Sequence, residues 1–226
     1  MKDKIKAFLK KINFSYSPKT KEEFQNILTI LKRFITQNPV LIFGLSLGPI
    51  VAISQSLKAG VSISVAFAII IIPVVTIIGY IPTKLSKSLR VVISALLSSV
   101  FFIPAFWFAQ TIFPEVQDKV GVFLPLMVVN PIINSCSKEA AKGRFPLHSF
   151  LRGVETAVGF AIVMCLVSLF RELFGKGTIW DKIVFEDGGN IAFLLPFSGF
   201  IILGFLSAGV KMLSDKLLES KKEAKK

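Results

Sequence analysis

Long apolar runs separated by short polar segments make up most of the chain between residues 39 and 212. Several of these runs reach the roughly 20 apolar residues that a helix needs to cross a bilayer. Their boundaries predict six spans, at about residues 39–56, 60–81, 89–113, 120–136, 150–173 and 190–212. The pattern therefore predicts an all-α integral membrane protein with six transmembrane helices.

The first and fourth of these spans are interrupted by proline, glycine and polar residues. Irregular backbone at membrane depth is tolerated only where it is buried in protein or lines a cavity. Two interrupted segments in corresponding places of two halves point to a membrane binding or conduction site. We therefore predict half-helix breaks that expose backbone carbonyls and side-chain amides to an ion path, at Gly44, Ser46, Gly48, Pro49, Asn130, Pro131 and Asn134.

Breaks in the first and fourth spans divide the membrane part into two halves of three spans each. An odd number of spans per half places the two halves in opposite orientations, which is the inverted-repeat arrangement. The local echo between G-P-I-V-A-I-S-Q at 48–55 and N-P-I-I-N-S-C-S at 130–137 fits this prediction. Pro73, Pro104 and Pro196 are predicted to kink their helices.

Polar, basic segments flank the membrane domain, which we place at residues 38–212. Residues 1–37 predict two amphipathic helices in a cytoplasmic extension, the second opened by a capping box at Thr20 and Glu23. Such helices anchor the N-terminus on the membrane surface or dock on a partner subunit, and the sequence leaves both open. Residues 213–226 form a basic cytoplasmic tail.

Charge sets the predicted orientation of the spans. The formal net charge is +13, and 22 of the 27 Lys and Arg residues fall on the side that holds both termini. Because basic loops stay in the cytoplasm, both termini are predicted to be cytoplasmic. The basic residues lie between and beyond the apolar spans, so we expect them to interact with membrane lipid and not with nucleic acid.

Few side chains suggest chemistry of their own. Arg152 and Glu155 lie three residues apart near the start of the fifth span, which predicts an intramembrane charge pair, with an ion or proton role for Glu155 as the alternative. Arg171 and Glu172 are assigned capping and interface roles. No phosphate loop, catalytic triad or metal-ligand spacing occurs, so no catalytic residue is predicted.

Three segments carry a resemblance to a known family. N-P-V-L-I-F-G-L-S-L-G-P-I-V-A at 38–52, G-V-F-L-P-L-M-V-V-N-P-I-I at 121–133 and R-E-L-F-G-K-G-T-I-W-D at 171–181 resemble the six-helix membrane subunits of Rnf and Nqr complexes. The chain is more similar to the E subunit of Rnf and the D subunit of Nqr than to their sister subunits. The resemblance implies a non-catalytic subunit of a Na⁺- or H⁺-translocating electron transport complex, in the cytoplasmic membrane of a prokaryote. It also implies a second six-span subunit, with other Rnf/Nqr-type subunits, as partners.

The resemblance further implies a [2Fe–2S] cluster, to which each of two paired subunits contributes two cysteines, one from each broken helix. Here Gly48 and Pro131 occupy those positions, and neither residue has a thiolate. Cys136 would need a reorganised loop to replace them. We therefore expect no cofactor in this chain. The alternative function is a stand-alone inverted-repeat transporter or channel for an ion or small solute, as a homo-oligomer or alone. A structural or assembly protein is a third hypothesis.

Overall fold

The computed structural model describes residues 38–81, 86–115, 121, 123–140, 146–185 and 189–223. The predicted amphipathic helices of residues 1–37 lie outside these ranges, as does the end of the basic tail. Within these ranges the main elements follow in the order α1 (Pro39–Phe43), α2 (Leu47–Ile53), α3 (Leu57–Gly79), α4 (Lys87–Ile112), a 3-10 turn (Leu124–Met127), α5 (Pro131–Ala140), α6 (Pro146–Lys176), β1 (Thr178–Ile179), β2 (Lys182–Ile183), a second 3-10 turn (Ile191–Leu194) and α7 (Pro196–Glu223).

Three of the predicted spans are confirmed as helices long and apolar enough to cross a membrane. They are Leu57–Gly79, Ser88–Ile112 and Leu147–Lys176, which correspond to the second, third and fifth predicted spans. In α7 the apolar stretch, Pro196–Met212, is shorter than in these three helices. The prediction of a kink at Pro196 is wrong, because this proline occupies the first position of α7, where its missing N–H costs nothing.

Serine side chains define where two of the long helices begin. Ser56 Oγ accepts a hydrogen bond from Ala59 N, and Ser86 Oγ accepts one from Leu89 N, each at 3.3 Å. These bonds satisfy amides in the first turn of α3 and α4 that have no partner within the helix. The start of each span is thus encoded locally.

The centre of the fold is the contact between α3 and α6, which pack against each other along their length. Gly60 lies against Ser168 and Gly79 against Ser149, so the two helices run antiparallel. Between these contacts the rings of Phe67 and Phe160 stand 4.4 Å apart, and both residues are completely buried. Glycine at the contact points lets the two backbones approach closely.

The remaining helices surround this pair. Helix α4 packs on α3 and α5, and only 17% of its span is buried, against 56% for α3. Its other face is apolar and exposed, with Leu96, Val100, Ile103 and Trp107. Helix α7 packs on α1, α2 and α6 and donates from Ser207 Oγ to the Leu41 carbonyl. The α4 face is therefore suited to lipid or to another membrane protein.

The first predicted span is interrupted at Gly44 and Ser46, two of the four positions predicted for this break. Helix α1 ends at Gly44, and both Gly44 and Ser46 adopt left-handed backbone, with φ of 62° and 64°. Gly48 and Pro49 lie inside the first turn of α2, where a proline is tolerated. The interruption at residues 44–46 is therefore made by backbone conformation and not by Pro49.

The fourth predicted span is interrupted between the 3-10 turn at Leu124–Met127 and α5. Residues 128–130 join these elements without regular structure, and Pro131 is the first residue of α5. Asn134 lies within α5 and not in the break. We call residues 44–46 and 128–130 the two breaks.

Candidate functional site at the two breaks

A hydrogen bond between side chains joins the two breaks. Ser46 Oγ donates to Asn130 Oδ1, and both residues are buried, at 5% and 1% exposure. Asn130 Oδ1 also accepts from Ile132 N at 2.9 Å, which caps the first turn of α5, while its amide nitrogen lies 3.7 Å from Met127 Sδ. The side-chain amide of Asn130 thus caps α5 and also binds Ser46 in the first break.

The two half-helices diverge from this point. Helix α2 ends where Val51 and Ser54 meet Arg171, near the Lys176 end of α6. Helix α5 leads instead to the Pro146 end of α6, where Cys136 Sγ lies 3.3 Å from Thr156 Oγ1. The N-termini of both half-helices therefore lie beside the Ser46–Asn130 contact, where helix dipoles favour partial negative charge such as the Asn130 oxygen.

The breaks lie at the surface of the chain. Gly44, Gly48 and Pro131 are exposed, and Leu126 and Val129 are 50% and 68% exposed. A side chain at Gly48 would meet no atom within 4 Å. The buried Ser46–Asn130 contact thus has exposed neighbours along the chain in both breaks, and we call these residues the open face of the breaks: Gly44, Gly48, Leu126, Val129 and Pro131.

Asn134 contributes to a second polar contact, between α5 and α4. Its Oδ1 accepts a hydrogen bond from Ser94 Oγ at 2.7 Å. Pro49, by contrast, is half-buried in α2. Of the predicted site residues, the structure thus brings Ser46 and Asn130 into direct contact and places Asn134 one turn further along α5.

Arg152 and Glu155 are close enough to form an ion pair. Arg152 Nη1 lies 2.9 Å from Glu155 Oε2, and their side chains are 23% and 18% exposed. The pair is near the Pro146 end of α6, and the Arg152 carbonyl lies 3.8 Å from Cys136 Sγ. It is therefore partly shielded from solvent and adjoins the second half-helix.

Arg171 is the charged residue whose role the sequence interpretation underestimated. It is completely buried, and its guanidinium donates to carbonyl or hydroxyl oxygens of Val51, Ser54, Phe193, Leu194 and Leu195. These acceptors belong to the end of α2 and to the turn that precedes α7. Arg171 therefore joins the first broken span to the last helix, beyond the expected capping role.

Glu172, the next residue, contacts other elements, namely the start of α3 and the β1–β2 segment. Its carboxylate accepts hydrogen bonds from Leu57 N, Thr178 Oγ1 and Asp181 N. Leu57 begins α3, so the negative charge lies at a helix N-terminus. In the sequence, two consecutive charged residues at the end of an apolar helix were the feature that could have indicated the buried roles of Arg171 and Glu172.

The residues at the breaks do not fit an iron–sulfur cluster. Such clusters are held by thiolates, and Gly48 and Pro131 supply none. Cys136 packs against α6, and Cys165 lies within α6. Among the residues that the structure describes, no group of three or more His, Cys, Asp or Glu side chains gathers as a metal site would require.

Comparison with known proteins places the chain in a family. A family model described as "Rnf-Nqr subunit, membrane protein" matches residues 26–207. The chain is 27% identical over 196 residues to the E subunit of the proton-translocating ferredoxin:NAD(+) oxidoreductase complex of Clostridium ljungdahlii, covering 85% of this chain and 92% of that protein. It is 25% identical over 197 residues to the D subunit of the Na(+)-translocating NADH-quinone reductase of Photorhabdus laumondii, covering 84% and 94%. The resemblance seen in the sequence is confirmed: this membrane protein belongs to the Rnf-Nqr subunit family.

Proposed function

We propose that the chain is a membrane subunit of an ion-translocating Rnf/Nqr-type electron transport complex, and that it holds no [2Fe–2S] cluster at its two breaks. Its relatives are subunits of a proton-translocating and of a Na⁺-translocating complex. The observation that carries the proposal is the contact of two interrupted spans through Ser46 and Asn130, with Gly48 and Pro131 in place of cluster ligands.

The proposed architecture is six spans in two inverted repeats, with both termini in the cytoplasm of a prokaryote. The antiparallel packing of α3 on α6 supports it, because these are the second spans of the two halves. The unequal distribution of Lys and Arg between the loops supports the orientation. Reaction of single engineered cysteines with a membrane-impermeant reagent in intact cells tests both statements.

The proposed partner is a second six-span subunit that covers the open face of the breaks. Hydrocarbon offers no hydrogen bonds to irregular backbone, so such backbone has to be buried in protein or line a cavity. Gly44 and Val129 are exposed at this face, and a tryptophan at either position would prevent a close approach. We expect Val129→Trp to release the partner, whereas Val100→Trp on the exposed face of α4 leaves it bound.

The proposed contribution to ion transport is polar lining at the breaks. Ser46 and Asn130 provide a hydroxyl and an amide at the breaks, and Asn134 adds an amide one turn further along, within α5. The proposal is contradicted if Asn130→Ala and Asn134→Ala leave both ion transport and assembly of the complex unchanged.

The deciding experiment is affinity purification from native membranes in mild detergent, followed by identification of the bound proteins. Recovery of a second six-span subunit with flavin-bearing subunits supports the proposed complex. Recovery of the chain alone, or only with copies of itself, overturns it and favours a stand-alone transporter, for which solute-flux measurements in liposomes are the next step.

A further inference from the structure

The segment at residues 178–185, which contains the β1–β2 hairpin, exposes apolar side chains beside the end of α6. Ile183, Val184 and Phe185 are 76%, 49% and 53% exposed, and Trp180 in the turn is 40% exposed. These four large side chains lie within six consecutive residues. Such a concentration outside the spanning helices indicates a surface that contacts something other than water.

The turn of the hairpin does not explain its tryptophan. Trp180 and Asp181 form the two-residue turn between β1 and β2, and both have left-handed backbone, with φ of 56° and 61°. Such a turn favours asparagine and glycine, and a bulky side chain is strained there. Residues held in strained backbone are often functional. The tryptophan therefore calls for a role outside the turn.

Two acidic residues hold this turn against the start of α3. Asp181 Oδ2 lies 2.7 Å from Nζ of Lys58, in the first turn of α3. The Glu172 carboxylate accepts hydrogen bonds from Leu57 N and from Asp181 N, so it joins the same two segments. The hairpin turn therefore lies at the depth of the first turn of α3.

The length of α3 relates that depth to the bilayer. Its 23 residues, Leu57–Gly79, span about 35 Å at about 1.5 Å per residue. The hydrocarbon core is about 30 Å thick, and tryptophan and tyrosine are enriched at the interfaces on both sides of it. Tyr80 is the C-cap of α3 and is 68% exposed. Aromatic residues thus lie at both ends of a helix that matches the hydrocarbon thickness.

We propose that residues 178–185 anchor the chain in the lipid interface at the Lys176 end of α6. Trp180 and Ile183 supply apolar surface, and the exposed Lys182 supplies a positive charge for lipid phosphates. A segment of eight residues is small beside the roughly 20–30 residues that each side of a stable protein interface contributes. Lipid is therefore the occupant that this surface fits.

The apolar surface of this segment adjoins exposed rings of the spanning part of the chain. Phe170 and Phe174 of α6 are 42% and 46% exposed, and their rings stack with centroids 6.2 Å apart. The Phe193 ring centroid lies 5.6 Å from that of Phe174. A Cβ added at Gly177 would lie 3.5 Å from Phe185 Cβ, so Phe185 lies beside the end of α6. Adjoining apolar surfaces are expected where both face lipid.

The test uses the full chain in phosphatidylcholine vesicles and the fluorescence of its own tryptophans. The chain has two, so Trp107→Phe leaves Trp180 as the only reporter. Bromine atoms in the upper part of the acyl chains should quench Trp180 about twofold more than bromine atoms near the chain ends. Iodide on both sides of the membrane should quench Trp180 about threefold less than it quenches tryptophan amide in solution.

Two further chains with a single tryptophan give reference depths. Tyr80→Trp, made together with Trp107→Phe and Trp180→Phe, should show the same preference for upper-chain bromine at the other end of α3. Trp180→Phe alone leaves Trp107, which is 68% exposed and lies five residues before the end of α4. Chain-end bromine should quench Trp107 more than it quenches Trp180.

The proposal is overturned if iodide quenches Trp180 as strongly as tryptophan amide, because the hairpin then lies in water. Protection of Trp180 from both bromine and iodide also overturns it and indicates a cover of protein. If Trp107→Phe fails to fold, iodide quenching of the unaltered chain still decides the question, because a Trp180 in water would make about half of the tryptophans accessible. The inference does not depend on the proposed complex, since the chain is tested without other subunits.

Discussion

Arg171 Nη1 lies 2.6 Å from the backbone carbonyl oxygen of Val51, which precedes it by 120 positions in the chain. The same guanidinium reaches the Leu194 carbonyl, also at 2.6 Å. A single side chain of α6 therefore fixes the end of α2 and the turn before α7. A planar group with five donors is suited to several acceptors at once.

Replacing Arg171 should destabilise the fold more than any other single change discussed here. Arg171→Gln leaves several buried carbonyls without a donor, each at a cost of about 1–3 kcal/mol. Arg171→Lys should be intermediate, because it keeps the charge but not the fork of donors. Thermal unfolding in detergent measures both. Lys176→Gln, at the exposed end of the same helix, is the control, and equal midpoints for all variants would contradict the assigned role.

Glu172→Gln should weaken the attachment of the β1–β2 turn to the start of α3. The NH2 group that replaces one carboxylate oxygen cannot accept a hydrogen bond, so either Leu57 N or Asp181 N loses its acceptor, and the charge at the N-terminus of α3 is lost. We expect a loss of about 1–2 kcal/mol. Hydrogen exchange should show faster opening at residues 178–183. Glu115→Gln, whose side chain is 77% exposed, should not change exchange there.

Ser46 should respond differently to glycine and to alanine. Both substitutions remove the hydroxyl that binds Asn130, at a cost of about 0.6–1.7 kcal/mol between membrane helices. Alanine also keeps a side chain at a φ of 64°, whereas glycine relieves about 1–2 kcal/mol of strain. Ser46→Gly should therefore be the more stable variant in thermal unfolding, and the reverse order would show that the backbone is not left-handed at this position.

The Ser46–Asn130 bond itself is measured by a double-mutant cycle. Asn130→Ala also removes the cap on Ile132, so alone it should cost about 1 kcal/mol more than Ser46→Ala. In the double variant the cost of losing the shared bond is counted once. Strict additivity of the two single changes would mean that the two breaks are not coupled.

Gly60→Ala should disrupt the packing of α3 on α6. An added Cβ would lie 3.0 Å from Ser168 Cβ and closer still to its hydroxyl, so the helices must separate. We expect a loss of about 1–3 kcal/mol, as for other overpacked contacts. Ser168→Gly in the same chain should restore stability. Gly204→Ala is the control, because nothing lies within 4 Å of that position, and there helix propensity favours alanine.

The purified chain should contain no stoichiometric iron or acid-labile sulfide. The cluster positions offer glycine and proline, and Cys136 Sγ is packed against Thr156. Chemical analysis and the visible absorption spectrum measure this directly. A cluster that is present in the chain and lost in Cys136→Ser would overturn the assignment and show that α5 rearranges to present that thiol.

Much of the fold could be predicted because hydropathy acts locally. A run of apolar residues with a serine cap specifies its own helix, as at α3 and α4, whatever lies beside it. Interruption of the first and fourth spans was also predictable, since Gly44, Asn130 and Pro131 act on their own backbone. The family resemblance followed from the order and spacing of short segments.

Other features depend on which helices contact each other, and the local sequence pattern does not predict those contacts. The sequence placed the first break between Gly44 and Pro49, and within that segment the chain turns at residues 44–46, where Ser46 can reach Asn130, 84 positions later. Arg171 is buried because the end of α2 and the turn before α7 both bring backbone carbonyls to it. The sequence by itself determined the spans, their interruptions and the family, because these depend on neighbouring residues. Only the tertiary structure decided where the first break lies and which charges are buried, because both require partners that are remote in the chain.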